Sequence, residues 1–536
     1  MPARSALLLI VLAAAPAWAQ KFYPDDPLAR DPDDAVVPQP GEVELSTAYD
    51  VIEHTFHHRP HGQPPPAANV NTLGAVPDSS WFENRIGVRD MTIEELAHGA
   101  ATTDGPAGRW TVIAGKSEGI TPGFTMRDAA GEVWFVKFDR AQYPVLSTGA
   151  EVIAGRFFHA MGYFVPETHI ASFRREELAI EPGARITVKG AGKREMTRAD
   201  LDRVLAHVKR EHDGTLRAVV SRRLPGLPLG PHKYHGTRSD DANDVFPHED
   251  RRELRGLRVF SAWLNHDDSR GANTLDTYVP PGYVKHHLID FSSTLGSGSD
   301  ATREIGPQNP RAGNEYIVDW GPIARAAASF GIADRAWRRV RYRDFPEVGN
   351  LEADFFDPDR WRPEYPNPAF ERMRPEDALW AAHIVARFTP AAIRAMVAVG
   401  RVGNPEAEEY LVRTLVARRD KIVDRYFRAL NPIDGFRVEG GAIVFENPGE
   451  RAGLPRADGY EHQWFAVDNA GGRLAPLGEA ARSTEARVVL TNHPSEYTMV
   501  RIRTLSDAVP AWRQAVDVFL RNGATPEVVG VERETP

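Results

Sequence analysis

The sequence WLNHDDSRGANTL at residues 263–275, followed by HHLIDFS at residues 286–292, decides the fold. Asp268 and Asn273 stand five positions apart, and a short apolar run then ends at Asp290. Acidic and amide residues between a helix and a strand also serve as caps and turns, so each residue alone is weak evidence. The order of the three polar residues, with a strand before the last of them, narrows the range of functions that they could serve.

This order suits the chemistry of phosphoryl transfer. One carboxylate must orient the attacking hydroxyl or accept its proton, while an amide oxygen and a second carboxylate hold Mg²⁺ on the nucleotide phosphates. Asp268, Asn273 and Asp290 supply these residue types in the required order. We therefore expect Asp268 to act as the base, and Asn273 and Asp290 to be the metal ligands.

The segment resembles the catalytic loop of the protein-kinase-like superfamily, whose His-x-Asp-x4-Asn register is met by His266, Asp268 and Asn273. Residues 288–291, Leu-Ile-Asp-Phe, look like the metal-binding strand end in the form found in phosphatidylinositol 3/4-kinases and HipA-type kinases. The resemblance implies that His266 and Asp268 are catalytic and that the cofactors are ATP and Mg²⁺.

Two residues depart from the superfamily pattern. Ser292 replaces the glycine of Asp-Phe-Gly, which weakens any inference about an in/out switch of this segment. Asp267 replaces the arginine of His-Arg-Asp, which argues against control by activation-loop phosphorylation.

The preceding region supplies the remaining elements of the resemblance. Aromatic and β-branched runs separated by Gly-rich turns predict an antiparallel meander, and apolar residues at helical spacing then predict a helix; the ranges are Trp110–Ala114, Gly123–Met126, Glu132–Phe138 and Thr148–Met161. By resemblance, Lys137 is the phosphate-binding lysine and Glu151 its ion-pair partner. The turn with Gly119 and Gly123 does not match G-x-G-x-x-G, so its contact with phosphate would depend on backbone amides.

The fold class predicted for the whole chain is α+β, a two-lobe protein-kinase-like fold with a C-terminal β-sandwich-like domain. Strand patterns, then long apolar helical stripes, then short strands between Gly, Asn and Pro turns indicate this order. The predicted regions are a signal peptide at 1–19, a Pro/Asp/His-rich arm and wrapping segment at 20–100, a β-rich N-lobe at 101–228, a helical C-lobe with the catalytic loop at 229–433, and the small sandwich-like domain at 434–536.

Composition excludes several classes of protein. The 536 residues include 65 Lys and Arg against 74 Asp and Glu, and the net charge of −9 gives no basis for binding a nucleic acid backbone. Cysteine is absent, so disulfides, thiolate metal sites and a lipoprotein anchor are excluded.

The first residues, MPARSALLLIVLAAAPAWAQ, have the basic start, apolar run and Ala-x-Ala site of a signal peptide cleaved after Ala19. We therefore expect a periplasmic or secreted protein. The apolar run is shorter than the ~20 residues of a spanning helix, and no later segment is apolar enough, so no transmembrane span is expected in the mature chain.

Other titratable residues are interpreted as structural or exposed. The arm histidines, His54, His57, His58 and His61, lie in a Pro-rich segment that we expect to be flexible and solvated. The segment at 240–250, rich in acidic residues and histidine, is predicted to be a solvated loop that precedes a helix. Satisfied or surface positions are expected for His232, His235, His286 and His287, and an exposed position for Lys116.

The function predicted from the sequence is an exported, atypical kinase-like phosphotransferase that modifies a hydroxyl of an unknown protein or small-molecule acceptor. Two alternatives stay open. One is a non-catalytic binding or scaffold protein on a kinase-like frame. The other is a metal-dependent hydrolase that uses Asp267, Asp268, Asp290 and nearby histidines.

Overall fold

The computed structural model describes residues 20–56, 62–116, 121–188, 192–299, 304–329 and 335–535. The helices are α1 Thr47–Phe56, α2 Ile93–His98, α3 Leu146–Met161, α4 Arg198–Leu205, α5 Arg252–Leu264, α6 Trp320–Ala328, α7 Pro368–Glu371, α8 Pro375–Ala386, α9 Pro390–Ala398, α10 Pro405–Phe427 and α11 Pro448–Arg451. The predictions for the signal peptide, Gly119, His57, His58 and His61 fall outside the described residues.

The strands are β1 Trp110–Gly115, β2 Gly123–Arg127, β3 Val133–Lys137, β4 Thr168–Phe173, β5 Leu178–Val188, β6 Gly192–Glu195, β7 Leu216–Arg222, β8 Leu227–Gly230, β9 Thr274–Val279, β10 Tyr283–Leu288, β11 Ser297–Ser299, β12 Ile305–Pro307, β13 Asp434–Glu439, β14 Ala442–Glu446, β15 Gly459–Val467, β16 Leu474–Ser483, β17 Arg487–Val489, β18 Tyr497–Leu505, β19 Val516–Arg521 and β20 Glu527–Arg533. The chain is therefore α+β, as its sequence predicts.

A seven-stranded sheet, ordered β4-β7-β3-β2-β1-β5-β6, forms the N-terminal part of the fold. β1, β2 and β3 pair antiparallel, which confirms the predicted meander, whereas β5 pairs parallel to β1. Buried apolar side chains fill one face, among them Trp110, Phe124 and Trp134. The register opposes Gly123 to Lys137, so Lys137 lies at the last position of β3.

Helix α3 packs between this sheet and the helical region. Asp139 accepts hydrogen bonds from the backbone N–H groups of Ser147 and Thr148 at 2.7 and 3.0 Å, so a carboxylate satisfies the first turn. Nearly every residue of α3 is buried, and the ring of Phe157 packs edge-on against Trp263 of α5. This double-sided burial holds the helix in one position against the sheet.

Helices α5, α8 and α10 make up the centre of the helical region. Asn265 ends α5 in the left-handed conformation, with φ 53°, which suits asparagine better than most residues. The apolar pattern at 375–401 forms two helices, because Pro390 begins α9 with Thr389 as its N-cap. The apolar stripe that follows forms one long helix, α10.

A three-stranded sheet, β10-β9-β8, follows α5 and arranges the polar loop. β9 and β10 form an antiparallel hairpin, with Leu288 opposite Thr274. The loop 265–273 enters β9, and Asp290 follows β10, so both polar segments lie at the same end of the hairpin.

The proline-rich arm is bound along the fold. The expectation of a flexible, solvated segment was therefore wrong. Phe22 is 2% exposed and stacks on Tyr497 of β18, and Val43 donates its backbone N–H to the Leu229 carbonyl of β8 at 2.7 Å. An extended, Pro-rich chain has few internal hydrogen bonds, and here the partners come from elements distant in sequence.

Two antiparallel sheets form the C-terminal part, β13-β14-β17 and β16-β15-β18-β19-β20. Apolar residues of both sheets share one cluster, which includes Ile443 and Phe445 from the first and Val500 and Val518 from the second. No helix in the described ranges combines the length and apolar character needed to cross a membrane.

Candidate active site

Lys137 stands between two carboxylates that come from different parts of the chain. Its Nζ lies 3.0 Å from Oε2 of Glu151 and 2.9 Å from Oδ1 of Asp290. The lysine ends β3, the glutamate is in the second turn of α3, and the aspartate follows β10, 153 residues after the lysine. The structure thus brings together three residues that the sequence predicts to act as one site.

The three charges shift one another's ionisation. Burial alone would lower the pKa of Lys137, but Asp290 and Glu151 raise it above its ordinary value. Burial would likewise raise the pKa of Asp290, and Lys137 instead holds it well below the usual range of a carboxyl. Glu151, 4% exposed at its side chain, has a pKa raised by burial. Lys137 and Asp290 are therefore charged at neutral pH.

The backbone at Asp290 has an unusual conformation. Its φ is 57°, in the left-handed region that residues other than glycine seldom adopt. Its side chain is 42% exposed, and Ser292 Oγ donates to Oδ1 at 2.6 Å. Ser292, which replaces the glycine of the resembled pattern, thus orients the carboxylate.

The polar loop carries Asn273 to the neighbourhood of Asp290. The Ile289 N–H donates to the Asn273 carbonyl at 3.0 Å, and Nδ2 of Asn273 donates to the Asp268 carbonyl at 2.8 Å. The amide nitrogen is therefore engaged within the loop, and the amide oxygen is the atom suited to bind a cation. His266 is buried between Phe158 and Phe291, with Nδ1 3.2 Å from the Ser293 carbonyl. It connects the loop to the segment after Asp290.

Asp268 has two partners that the sequence does not single out. Arg270 Nε lies 2.7 Å from Oδ1 of Asp268, and Arg270 NH1 lies 2.8 Å from Oε2 of Glu364. Glu364 reaches this place because its backbone N–H donates to the Asp267 carbonyl at 2.8 Å. Burial raises the pKa of Asp268, and burial followed by Asp268 raises that of Glu364. The two carboxyl groups thus share one guanidinium.

Asp267 is directed away from the candidate metal ligands. It accepts hydrogen bonds from Gln308 Nε2 and, at 3.2 Å, from Ser293 Oγ. Burial, with smaller effects of Asp268 and Glu364, raises its pKa to about 8. A carboxyl that is largely protonated at neutral pH is a poor cation ligand, so this position does not favour the hydrolase alternative.

The Gly-rich turn is described in part. A Cβ on Gly123 would lie 2.1 Å from the Val136 carbonyl oxygen, so the close pairing of β2 with β3 already requires glycine here. Lys116, at the end of β1, is only partly exposed and donates to the Thr121 carbonyl at 2.8 Å. Burial, followed by repulsion from Lys137, lowers its pKa to about 8. The expectation of an exposed Lys116 was wrong, because its Nζ bonds to the Thr121 carbonyl and its side chain is only partly exposed.

The acidic and histidine residues at 240–250 are also not solvated as expected. Asp241, Asp244 and His248 are 5%, 6% and 3% exposed, and His248 Nε2 lies 2.7 Å from Oδ2 of Asp244. The arm supplies part of the cover, since the Gly41 N–H bonds to Asp240 at 2.8 Å. His232, His286 and His287 are buried as well, and His235 lies at an intermediate position.

Comparisons with known proteins give limited information. Neither a family model nor a curated protein matches the chain. Among solved structures, the chain is similar to the crystal structure of a Helicobacter pylori proinflammatory kinase, CtkA, with 13% sequence identity and a TM-score of 0.30, over 58% of this chain and 94% of that one. A likeness at this TM-score does not establish a common fold.

Proposed function

We propose that the chain is a kinase-like phosphotransferase that binds ATP with Mg²⁺ and transfers a phosphoryl group to a hydroxyl of an acceptor. The observation that carries the proposal is the placement of Lys137 between Glu151 and Asp290, at 3.0 and 2.9 Å, beside the loop that holds Asp268 and Asn273. The proposed frame has two lobes, with the β1–β7 sheet as one and the helices around α5 as the other.

The residues present fit a hard cation on a polyphosphate. Asp290 offers a partly exposed, ionised carboxylate, and Asn273, whose backbone carbonyl accepts the Ile289 N–H, offers an amide oxygen. Mg²⁺ is usually bound in proteins by one or two such oxygens, with the remaining ligands from phosphate and water. When bound, Mg²⁺ and ATP would supply the transferable phosphoryl group and neutralise part of its charge.

The roles of the other residues follow from their charges. Lys137, held by Glu151, would contact the phosphates, and Lys116 adds a second ammonium on the same side of the cleft. Asp268 would orient the acceptor hydroxyl and take its proton. Arg270 keeps the Asp268 carboxylate in one orientation through the 2.7 Å contact. His266 is a positioning residue in this proposal, because it contacts the Ser293 carbonyl.

The place of action is proposed on the sequence alone. Residues 1–19 would direct the chain to the periplasm or outside the cell, with cleavage after Ala19. The acceptor is proposed to be a protein or a small molecule with a free hydroxyl, and the C-terminal sheets to be a small sandwich-like domain that contacts a partner.

A thermal-shift titration of the mature chain tests the proposal. ATP with Mg²⁺ is expected to raise Tm, and Asp290→Ala is expected to abolish the Mg²⁺-dependent part while the variant stays folded. Asp90→Ala, at a fully exposed carboxylate, is the matched control and should behave as the wild type. An equal shift in wild type and Asp290→Ala would contradict the metal-ligand role. No response of the wild type to any nucleotide would favour the scaffold alternative.

A further inference from the structure

His232, Asp276 and His286 converge in the interior, behind the hairpin β9-β10. Oδ1 of Asp276 lies 2.9 Å from Nδ1 of His232 and 2.8 Å from Nδ1 of His286. All three side chains are 3% exposed or less, and their ligand-type atoms lie within 4.8 Å of one another. In the part of the chain that the structure describes, no other such group of three His, Cys, Asp or Glu residues is present.

Strand register explains the convergence. His286 of β10 is directly opposite Asp276 of β9, so their side chains stand on the same face of the sheet. Gly230 of β8 opposes Asp276 from the other side, and His232 follows two residues later. The His232 N–H donates to Thr274 Oγ1 at 2.9 Å, which fixes the backbone of this histidine against β9.

The carboxylate at the centre has little cationic compensation. Arg238 NH1 is 3.4 Å from Oδ2 of Asp276, beyond the usual range of a good hydrogen bond, and Arg238 Nε lies 3.0 Å from Asp240. A carboxylate removed from water needs strong partners, and a neutral imidazole is the form that binds metal ions.

We propose that His232, Asp276 and His286 bind one divalent transition-metal ion of the Zn²⁺ class, with one further ligand from water or a neighbouring group. Two imidazole nitrogens and one carboxylate oxygen suit zinc and its first-row neighbours, whereas Mg²⁺ and Ca²⁺ prefer oxygen ligands alone. This site is distinct from the proposed nucleotide site and does not depend on kinase activity.

The proton on Nδ1 of His232 can move to Nε2 when an ion takes its place at Nδ1. Nε2 of His232 is buried and has no hydrogen-bond partner among the described residues, so no second bond fixes the tautomer. When an ion binds at Nδ1, the proton shifts from Nδ1 to Nε2. The N–H···O bond to Asp276 is exchanged for a metal–nitrogen bond, and His286, which also contacts Asp276 through Nδ1, must likewise carry its proton on Nε2 to bind the ion.

The surroundings indicate a structural role for the ion. Trp81 of the arm stacks on the His286 ring with ring centroids 3.5 Å apart. The backbone N–H of His286 donates to the Ser80 carbonyl at 3.1 Å. Asp276 follows Asn273 by three residues, and His286 precedes Asp290 by four. An ion here would fix the hairpin that carries both candidate Mg²⁺ ligands and would hold the arm against it.

Metal content of the full chain, purified without chelator and without an affinity tag, tests the proposal. Elemental analysis is expected to find about one equivalent of transition metal in the wild type, and at least about tenfold less in Asp276→Asn and His286→Gln. His248→Gln is the matched control, because this buried histidine lies 6.2 Å from the His232 ring and outside the ligand set. The quadruple variant His54→Gln, His57→Gln, His58→Gln, His61→Gln excludes binding by the arm histidines.

A spectroscopic measurement on the wild type covers the case in which the ligand variants do not fold. Chain loaded with Co²⁺ after chelator treatment is expected to show intense visible absorption of a low-coordinate Co²⁺ centre, and added Zn²⁺ is expected to raise Tm. A wild type that contains no metal and shows no shift with Zn²⁺, Co²⁺, Ni²⁺ or Mn²⁺ would overturn the proposal. So would a folded Asp276→Asn variant that keeps its metal.

Discussion

Two carboxylates of the hairpin region, Asp290 just after β10 and Asp276 within β9, differ in their burial and in their neighbours. Asp290 is 42% exposed at its side chain and has the ammonium of Lys137 at 2.9 Å, whereas Asp276 is 2% exposed and has two imidazoles at 2.8 and 2.9 Å. An open carboxylate next to a fixed cation suits a charged ligand that enters and leaves. A sealed carboxylate between two imidazole nitrogens suits an ion that stays. Burial and the charge of the neighbours, more than residue type, separate the two kinds of site.

The largest expected effect lies in the open region. Asp268→Asn should lower turnover by about 10² to 10⁴ while ATP affinity stays close to that of the wild type, because a base acts on the acceptor and not on the nucleotide. Nucleotide titration and slow ATP hydrolysis measure the two quantities. A variant as active as the wild type would break the assignment of the loop.

Rates of ion exchange should differ by at least about a hundredfold between the two regions. Excess EDTA is expected to remove the Mg²⁺-dependent Tm shift within the mixing time, whereas a metal at Asp276 should leave over minutes to hours, since the arm must open first. Stopped-flow mixing and timed elemental analysis follow the two processes. Equally fast loss at both places would contradict the distinction between open and sealed.

Removal of the Lys137 ammonium, which lies between Glu151 and Asp290, should also reduce stability. Lys137→Met is expected to lower the free energy of unfolding by about 3 kcal/mol, because Glu151 would lose its partner while 4% exposed. Denaturant titration measures the change. The double variant Lys137→Met, Glu151→Leu should recover part of it, and a single variant as stable as the wild type would show that the pair is not coupled.

The smallest expected effect concerns Asp267 of the loop 265–273. Its folded-state pKa of about 8 exceeds the ordinary value of 3.8, so the folded state binds more protons between these values and stability falls as pH rises. Asp267→Asn should remove this slope, gaining on the order of 1 kcal/mol relative to the wild type from pH 7 to pH 8. Parallel stability curves of the two proteins would refute the raised pKa.

Local patterns in the sequence predict much of the fold. The capping box of Thr92 and Glu95 begins α2, and the alternating runs before residue 140 form the predicted meander. Such signals succeed because caps, turns and periodicity depend on neighbours in the chain. The seating of the arm could not be predicted in this way, because its partners lie far along the chain.

The two candidate sites show the same limit. Lys137, Glu151 and Asp290 are found from motif order, and the structure places them in contact. Glu364 has no local signal, since one backbone hydrogen bond to Asp267 brings it to the loop. The link between Asp276 and His286 depends on strand register, which single-sequence patterns do not determine.

The stacking of Phe22 on Tyr497 has a consequence for the order of folding. Phe22 also bonds through its N–H to Asn469, 447 residues away, so the arm cannot dock until the C-terminal sheet has formed. Closing so long a loop carries a large entropic cost, and contacts of high sequence separation form slowly. The arm is therefore expected to dock last. Until it docks, Trp81 does not cover the inner side of the hairpin, which stays open to solvent and to metal ions.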